Sequence, residues 1–150
     1  MRILIALAES PVFLAIVLSV TAAQLSKILL IVYKQKHKFV WEDILVTGNM
    51  PSAHAAIVTA LATIILLTEG ASPLFFMAFV FAAIVIRDAV GVRRTVGEES
   101  KVLTNIIHAL KNRFHITIPR KMHESIGHQP IEVFVGVMIG ILSAVLVHML

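Results

Sequence analysis

Long apolar runs, broken by short polar stretches, dominate this chain. Four of them approach the length of a membrane span: residues 11–33, 51–69, 73–92 and 130–150. A hydrocarbon core about 30 Å thick takes roughly 20 mostly apolar residues wound as a helix. The runs are on the short side, and polar groups enter them. Gln24 and Lys27 fall within the first, and Arg87 and Asp88 lie towards the end of the third. A proline opens each run: Pro11, Pro51, Pro73 and Pro130. Proline suits the first helical position, because its missing N–H would have no intrahelical partner there. Ser10 and Ser72 stand where an N-cap is wanted. The pattern predicts an all-α integral membrane bundle of about four transmembrane helices.

A different periodicity fills the connection before the last run. Over residues 97–114, Val102, Leu103, Ile106, Ile107, Leu110 and Phe114 recur at three- and four-residue steps. Glu98, Lys101, Thr104, Asn105, His108, Lys111 and Asn112 take the other side, and Gly97 marks the start. That is an amphipathic helix, either packed on the bundle or lying in the membrane interface. Residues 115–119 alternate and read as extended loop, ended by Pro119. The apolar start Met1–Glu9 has a single base, Arg2, and no clean small-residue cleavage site. It reads as interfacial, or as an extension of the first helix, rather than as a signal peptide. With no repeat, low-complexity tract or linker, residues 1–150 are expected to form one transmembrane domain.

Composition agrees with the pattern. Of 150 residues 58% are hydrophobic and 15% charged, and the mean hydropathy is +0.91. A soluble domain of this size has too little interior to hide so much apolar surface. Cysteine is absent, which excludes disulfides and thiolate metal sites.

Charge then orients the bundle. Lys34, Lys36 and Lys38 follow the first run, and seven lysines and arginines lie between the third and fourth. The turn between the second and third holds only Glu69. Positive-inside bias puts the first and third connections in the cytoplasm and both termini outside, in what is expected to be the cell membrane. The net charge of +4 suits anionic headgroups or an anionic substrate. No aromatic–basic pattern argues for nucleic acid.

This topology gathers three polar clusters on the cytoplasmic side, where ionisable residues near membrane depth call for a functional explanation. In Gly48–His54, Pro51 is expected to open the helix and to place Ser52 and His54 in its first turn. First-turn N–H groups and the positive end of the helix dipole favour an anion there. The same residues would equally serve as a plain cap with a solvated histidine. In Arg87–Arg94, Arg93 and Arg94 form either a snorkelling belt or a guanidinium clamp for a phosphoryl group. In Gly127–Val133, Pro130 places His128 just before the helix and Glu132 at its third position, able to reach back towards His128. A carboxylate on one imidazole nitrogen leaves the other free to attack. Capping is the simpler use of those residues. Gly136 and Gly140 suit close helix packing, against a neighbouring helix or a second copy of the chain.

Two histidines, a serine, a carboxylate and an arginine pair fit phosphoryl transfer through a phosphohistidine, where catalysis is mostly positioning and charge stabilisation. No acidic set has metal-ligand spacing, so metal-dependent hydrolysis is disfavoured and no cofactor is required.

Pro51-Ser52-Ala53-His54 resembles the P-S-G-H element of the type 2 phosphatidic acid phosphatases, which share their site with vanadium haloperoxidases. Gly127-His128-Gln129-Pro130-Ile131-Glu132-Val133, with Gly136 and Gly140, resembles that superfamily's last element. With Ala23-Gln24 and Lys27, Gly48–Ala56 and Asp88–Arg94, the chain is similar to the divergent small membrane branch of the superfamily over nearly its whole length. Glu132 stands where the superfamily has aspartate, and Ala53 where it has glycine. The resemblance implies His128 as nucleophile, Glu132 as its orienting carboxylate and His54 as general acid. It implies Ser52, Arg93 and Arg94 on the phosphoryl group, with Lys27 a further cation and Asp88 counted on the substrate side. The expected activity is metal-independent hydrolysis of a lipid phosphate or a prenyl phosphate or diphosphate. The alternatives are a non-catalytic lipid-phosphate-binding protein, transporter or flippase, and an assembly subunit. Hydrolysis requires both imidazoles on one cavity.

Overall fold

The computed structural model describes residues 9–35, 50–91, 99–100, 102–107, 109–110 and 129–150. Every regular element among them is a helix: α1 (Pro11–Gln35), α2 (Ala53–Glu69), α3 (Pro73–Val90) and α4 (Pro130–His148), with further helical residues between α3 and α4 at 99–100, 102–107 and 109–110. Three helices have the length and apolar content to cross a membrane: α1 over Pro11–Leu30, α3 and α4. The fourth, α2, is apolar but shorter, at 17 residues.

Caps explain where the helices begin. Ser10 Oγ accepts from Phe13 N–H at 3.4 Å and Ser72 Oγ from Phe75 N–H at 3.2 Å, with Pro11 and Pro73 next in the chain. Pro130 likewise opens α4 behind the N-cap Gln129. α2 departs from the expectation that Pro51 opens it. Ser52 is its N-cap, accepting from Ala55 N–H at 3.4 Å, and Pro51 lies outside the helix. An extended serine whose hydroxyl satisfies a first-turn N–H is a better helix start than the proline before it. At the other end Gly70, with φ of 70°, donates to the Leu66 carbonyl at 3.0 Å and ends α2. Glycine takes that backbone conformation without penalty.

α2 is the hub, packing against each of the other three helices, most extensively against α4. The interior is made mostly of small residues. Ala15, Ser19, Ala23 and Lys27 are all buried, one every four residues along α1. Ala56 and Ala60 of α2 meet Gly140 of α4, and Ala78, Ala82 and Ala89 line the buried side of α3. Large apolar side chains are on the outside: Leu29 and Met77 are 70% exposed, Phe79 56% and Leu142 61%. A water-soluble core has the reverse arrangement. Between helices in lipid, tight packing of small residues supplies the attraction, since lipid tails are as apolar as leucine. The chain is therefore an integral membrane protein built inside-out.

α2 and α4 run parallel. The Ser52 N–H donates to the Glu132 carbonyl at 3.0 Å, Gly136 packs on the Ser52 carbonyl, and Gly140 packs on Ala56 one turn further along. Ala89 near the end of α3 joins Ala55 and Val133 in one cluster, so α3 is antiparallel to both. The opposite end of the bundle is closed by Ala15, Ile64, Ile65, Ala78 and Ala144.

Candidate functional site

Parallel packing puts two helix N-termini side by side, and the site candidates sit there. Each N-terminus carries first-turn N–H groups and the positive end of a helix dipole. Two such ends in contact would repel unless something negative lies between or beside them. Glu132, at the third position of α4, supplies part of that charge. Its Oε2 accepts from the Gln129 N–H at 3.1 Å, one arm of a capping box. Among the described residues, the Gln129 N–H is thus a group that the Glu132 carboxylate reaches. His128 lies outside the described residues.

Lys27 of α1 interacts electrostatically with the same carboxylate. Its side chain is buried at 6% exposure, and its ammonium lies in the field of Glu132. The small-residue stripe of α1 reaches this lysine one turn beyond Ala23, at the end of the bundle where a long side chain replaces a close contact. A cation inside a membrane bundle is costly without an opposite charge, and Glu132 provides one. Gln24, half-buried, sits one turn before it. The helix runs on from Lys27 to Gln35, about 12 Å at 1.5 Å per residue. α1 therefore extends beyond the level of Lys27.

Ser52 is fully buried, its Oγ engaged by the Ala55 N–H and its own N–H by the Glu132 carbonyl. His54, two residues on in the first turn of α2, is exposed. Asp88 is half-buried in the last turn of α3, beside the Ala89 that packs on Ala55 and Val133. The structure thus brings Ser52, Glu132 and Lys27 together, with His54 and Asp88 on the adjoining turns. Arg93 and Arg94 lie outside the described residues, as do residues 92–98 and 111–128 that carry them and His128.

The close approach of α2 and α4 depends on glycine. A Cβ at Gly136 would strike the Ser52 carbonyl, and one at Gly140 would come within 2.6 Å of Thr59 Oγ1 and 2.9 Å of Ala60 N. These glycines pack a neighbouring helix of the same chain, one of the two uses expected of them.

The convergence of these motifs in space is matched by comparison with known proteins. A family model described as the divergent PAP2 family matches residues 8–143. The chain belongs to this family. The match takes in every helix as far as Ser143, and so all four motifs that carried the resemblance to the phosphatidic acid phosphatase superfamily. The divergent PAP2 chain is also similar to YuiD of Bacillus subtilis (strain 168), an uncharacterized membrane protein. The two are 41% identical over 117 residues, covering 70% of this chain and 73% of the relative. No solved structure matches this one.

Two features of the site escaped the sequence. The electrostatic interaction between Lys27 of α1 and Glu132 of α4 is one, and no local spacing announces it. The backbone bond from Ser52 to Glu132 follows from the parallel register of α2 and α4. The four-residue recurrence of small residues was the available signal for that register.

Proposed function

We propose that this divergent PAP2 protein is a metal-independent membrane phosphatase acting on a lipid phosphate or a prenyl phosphate or diphosphate. The observation that carries the reading is the side-by-side placement of the α2 and α4 N-termini, joined by the Ser52–Glu132 backbone bond. Motifs 80 residues apart in the chain meet there. Paired helix N-termini favour an anion.

In this reading the phosphoryl group lies over both N-termini. The imidazole of His128 attacks phosphorus, and the bond to the lipid oxygen breaks as His54 donates a proton to that oxygen. His54 then takes a proton from water, which attacks the phosphohistidine and releases inorganic phosphate. Atoms and charge balance over the two steps, and His128 returns to its starting state. Glu132 orients this machinery from the capping box. Arg93 and Arg94 balance charge on the transferring group, with Ser52 and Lys27 supporting it. Asp88 counters the excess of cations. Positive-inside charge supports a cytoplasmic position for this face, with the termini outside, in the cell membrane.

The test is phosphate release from a panel of lipid phosphates by the purified chain in detergent with chelator present. Turnover that survives chelation, is inhibited by vanadate and is lost in His128→Ala supports the proposal. Turnover unchanged in His128→Ala overturns it. Saturable binding of lipid phosphate with no release would favour the alternative, a lipid-phosphate-binding protein or transporter, to which the buried Lys27 in α1 also lends itself.

A further inference from the structure

The connection between α3 and α4 carries an apolar surface that the bundle does not use. Residues 99–100, 102–107 and 109–110 are helical, and Thr104 Oγ1 donates to the Ser100 carbonyl one turn back at 2.9 Å. With 3.6 residues per turn, Val102, Leu103, Ile106 and Leu110 fall on one arc. All four are exposed, between 41% and 59%. The half-buried residues are Ser100, Thr104 and Ile107, on the flanking side. The less exposed residues of this stretch thus form a mostly polar edge, and its aliphatic arc faces outward.

We propose that the Val102–Leu110 arc inserts into an anionic phospholipid surface, as an interfacial anchor between the third and fourth membrane helices. Two observations select that occupant. The first is continuity with the bilayer: α3 and α4 are antiparallel, so the chain leaves and re-enters the bundle at the same end. A connection between two membrane helices at one end lies beside the headgroups. The second is charge. Residues 91–129 hold seven lysines and arginines against Glu98, Glu99 and Glu124. A basic segment with an outward aliphatic face matches an anionic interface, where each basic residue near the surface adds to the attraction. A second copy of the chain on the same arc would bring two basic connections together, and like charges oppose that arrangement. The inference does not depend on hydrolysis.

The chain has no cysteine, so single-cysteine variants of the full chain report one position each. Nitroxides at Val102→Cys, Ile106→Cys and, on the polar side, Asn105→Cys would be read in vesicles for collision with oxygen and with a water-soluble nickel chelate. The account predicts that oxygen dominates at 102 and 106, that nickel dominates at 105, and that the contrast grows when phosphatidylglycerol is added to phosphatidylcholine. Nickel access at 102 and 106 would overturn it, showing the arc in water. Exclusion of both reagents, with dipolar broadening between copies, would overturn it in favour of a self-association surface. A contrast indifferent to phosphatidylglycerol would remove the anionic requirement.

Discussion

Adding one methyl group to Gly140 should damage this protein more than removing a phenyl ring from Phe134. In Gly140→Ala the new Cβ meets Thr59 Oγ1 at 2.6 Å and Ala60 N at 2.9 Å, with the Ala56 carbonyl nearer still. Thr59 Oγ1 can rotate away, although it gives up its bond to the Ala55 carbonyl in doing so. The backbone of α2 cannot rotate away. Bringing Ala60 N out to an ordinary 3.4 Å contact alone moves the helices apart by about 0.5 Å, and the Ala56 carbonyl demands more. Overpacking of this kind costs about 1–3 kcal/mol, offset by up to about 1 kcal/mol for the better helix propensity of alanine. A net loss of about 1–2 kcal/mol is expected. Phe134, 60% exposed on the lipid side of the same helix, should change stability by no more than about 0.5 kcal/mol when cut to alanine. Reversible unfolding of both variants in mixed micelles by increasing SDS, followed by helical circular dichroism, gives the two values. The inside-out packing is refuted if Gly140→Ala is neutral while Phe134→Ala costs the 3–5 kcal/mol of a buried aromatic.

Three further outcomes follow from the site. Ser52→Ala removes the N-cap of α2 and should lower stability by about 1 kcal/mol in the same unfolding assay. A larger loss in Ser52→Gly, which retains a good cap backbone, would contradict the capping role. Lys27→Met and Glu132→Gln should each destabilise the bundle, with the double variant milder than their sum by about 0.5–3 kcal/mol. Additive effects in that double-mutant cycle would mean the two charges do not interact. Gly136→Ala should lower phosphate release together with stability, because the methyl group displaces the Ser52 carbonyl from its place beside Glu132. Full turnover in a chain measurably loosened by that change would separate the site from the helix seam.

Much of the bundle was legible in the chain because membrane helices obey few and strong rules. A run of apolar residues opened by proline, with serine before it, marked α1 and α3 to within a residue or two at their starts. At α2 two local rules competed. Pro51 and Ser52 are both helix-start residues, and choosing the proline put the start two residues early. The serine prevailed because its hydroxyl satisfies the Ala55 N–H. Glu132 was legible as a residue that reaches back, since a carboxylate at the third position of a helix does so. Its bond from the Gln129 N–H is the ordinary geometry of a capping box, and the expected reach to His128 falls on a residue outside the described ones. The electrostatic interaction of Lys27 with Glu132 was not legible, because it depends on the relative heights of α1 and α4. The stripe of Ala15, Ser19 and Ala23 carried that information without showing which helix would receive it.

The most direct test of the central claim is to trap the covalent intermediate. The full chain in detergent would be mixed with a lipid phosphate labelled in the phosphoryl group, quenched in alkali, and examined for protein-bound label. The account predicts label that is stable to alkali, released by acid, mapped to the peptide containing His128 and absent from His128→Ala. Turnover with no such label, or label that persists in His128→Ala, would contradict it.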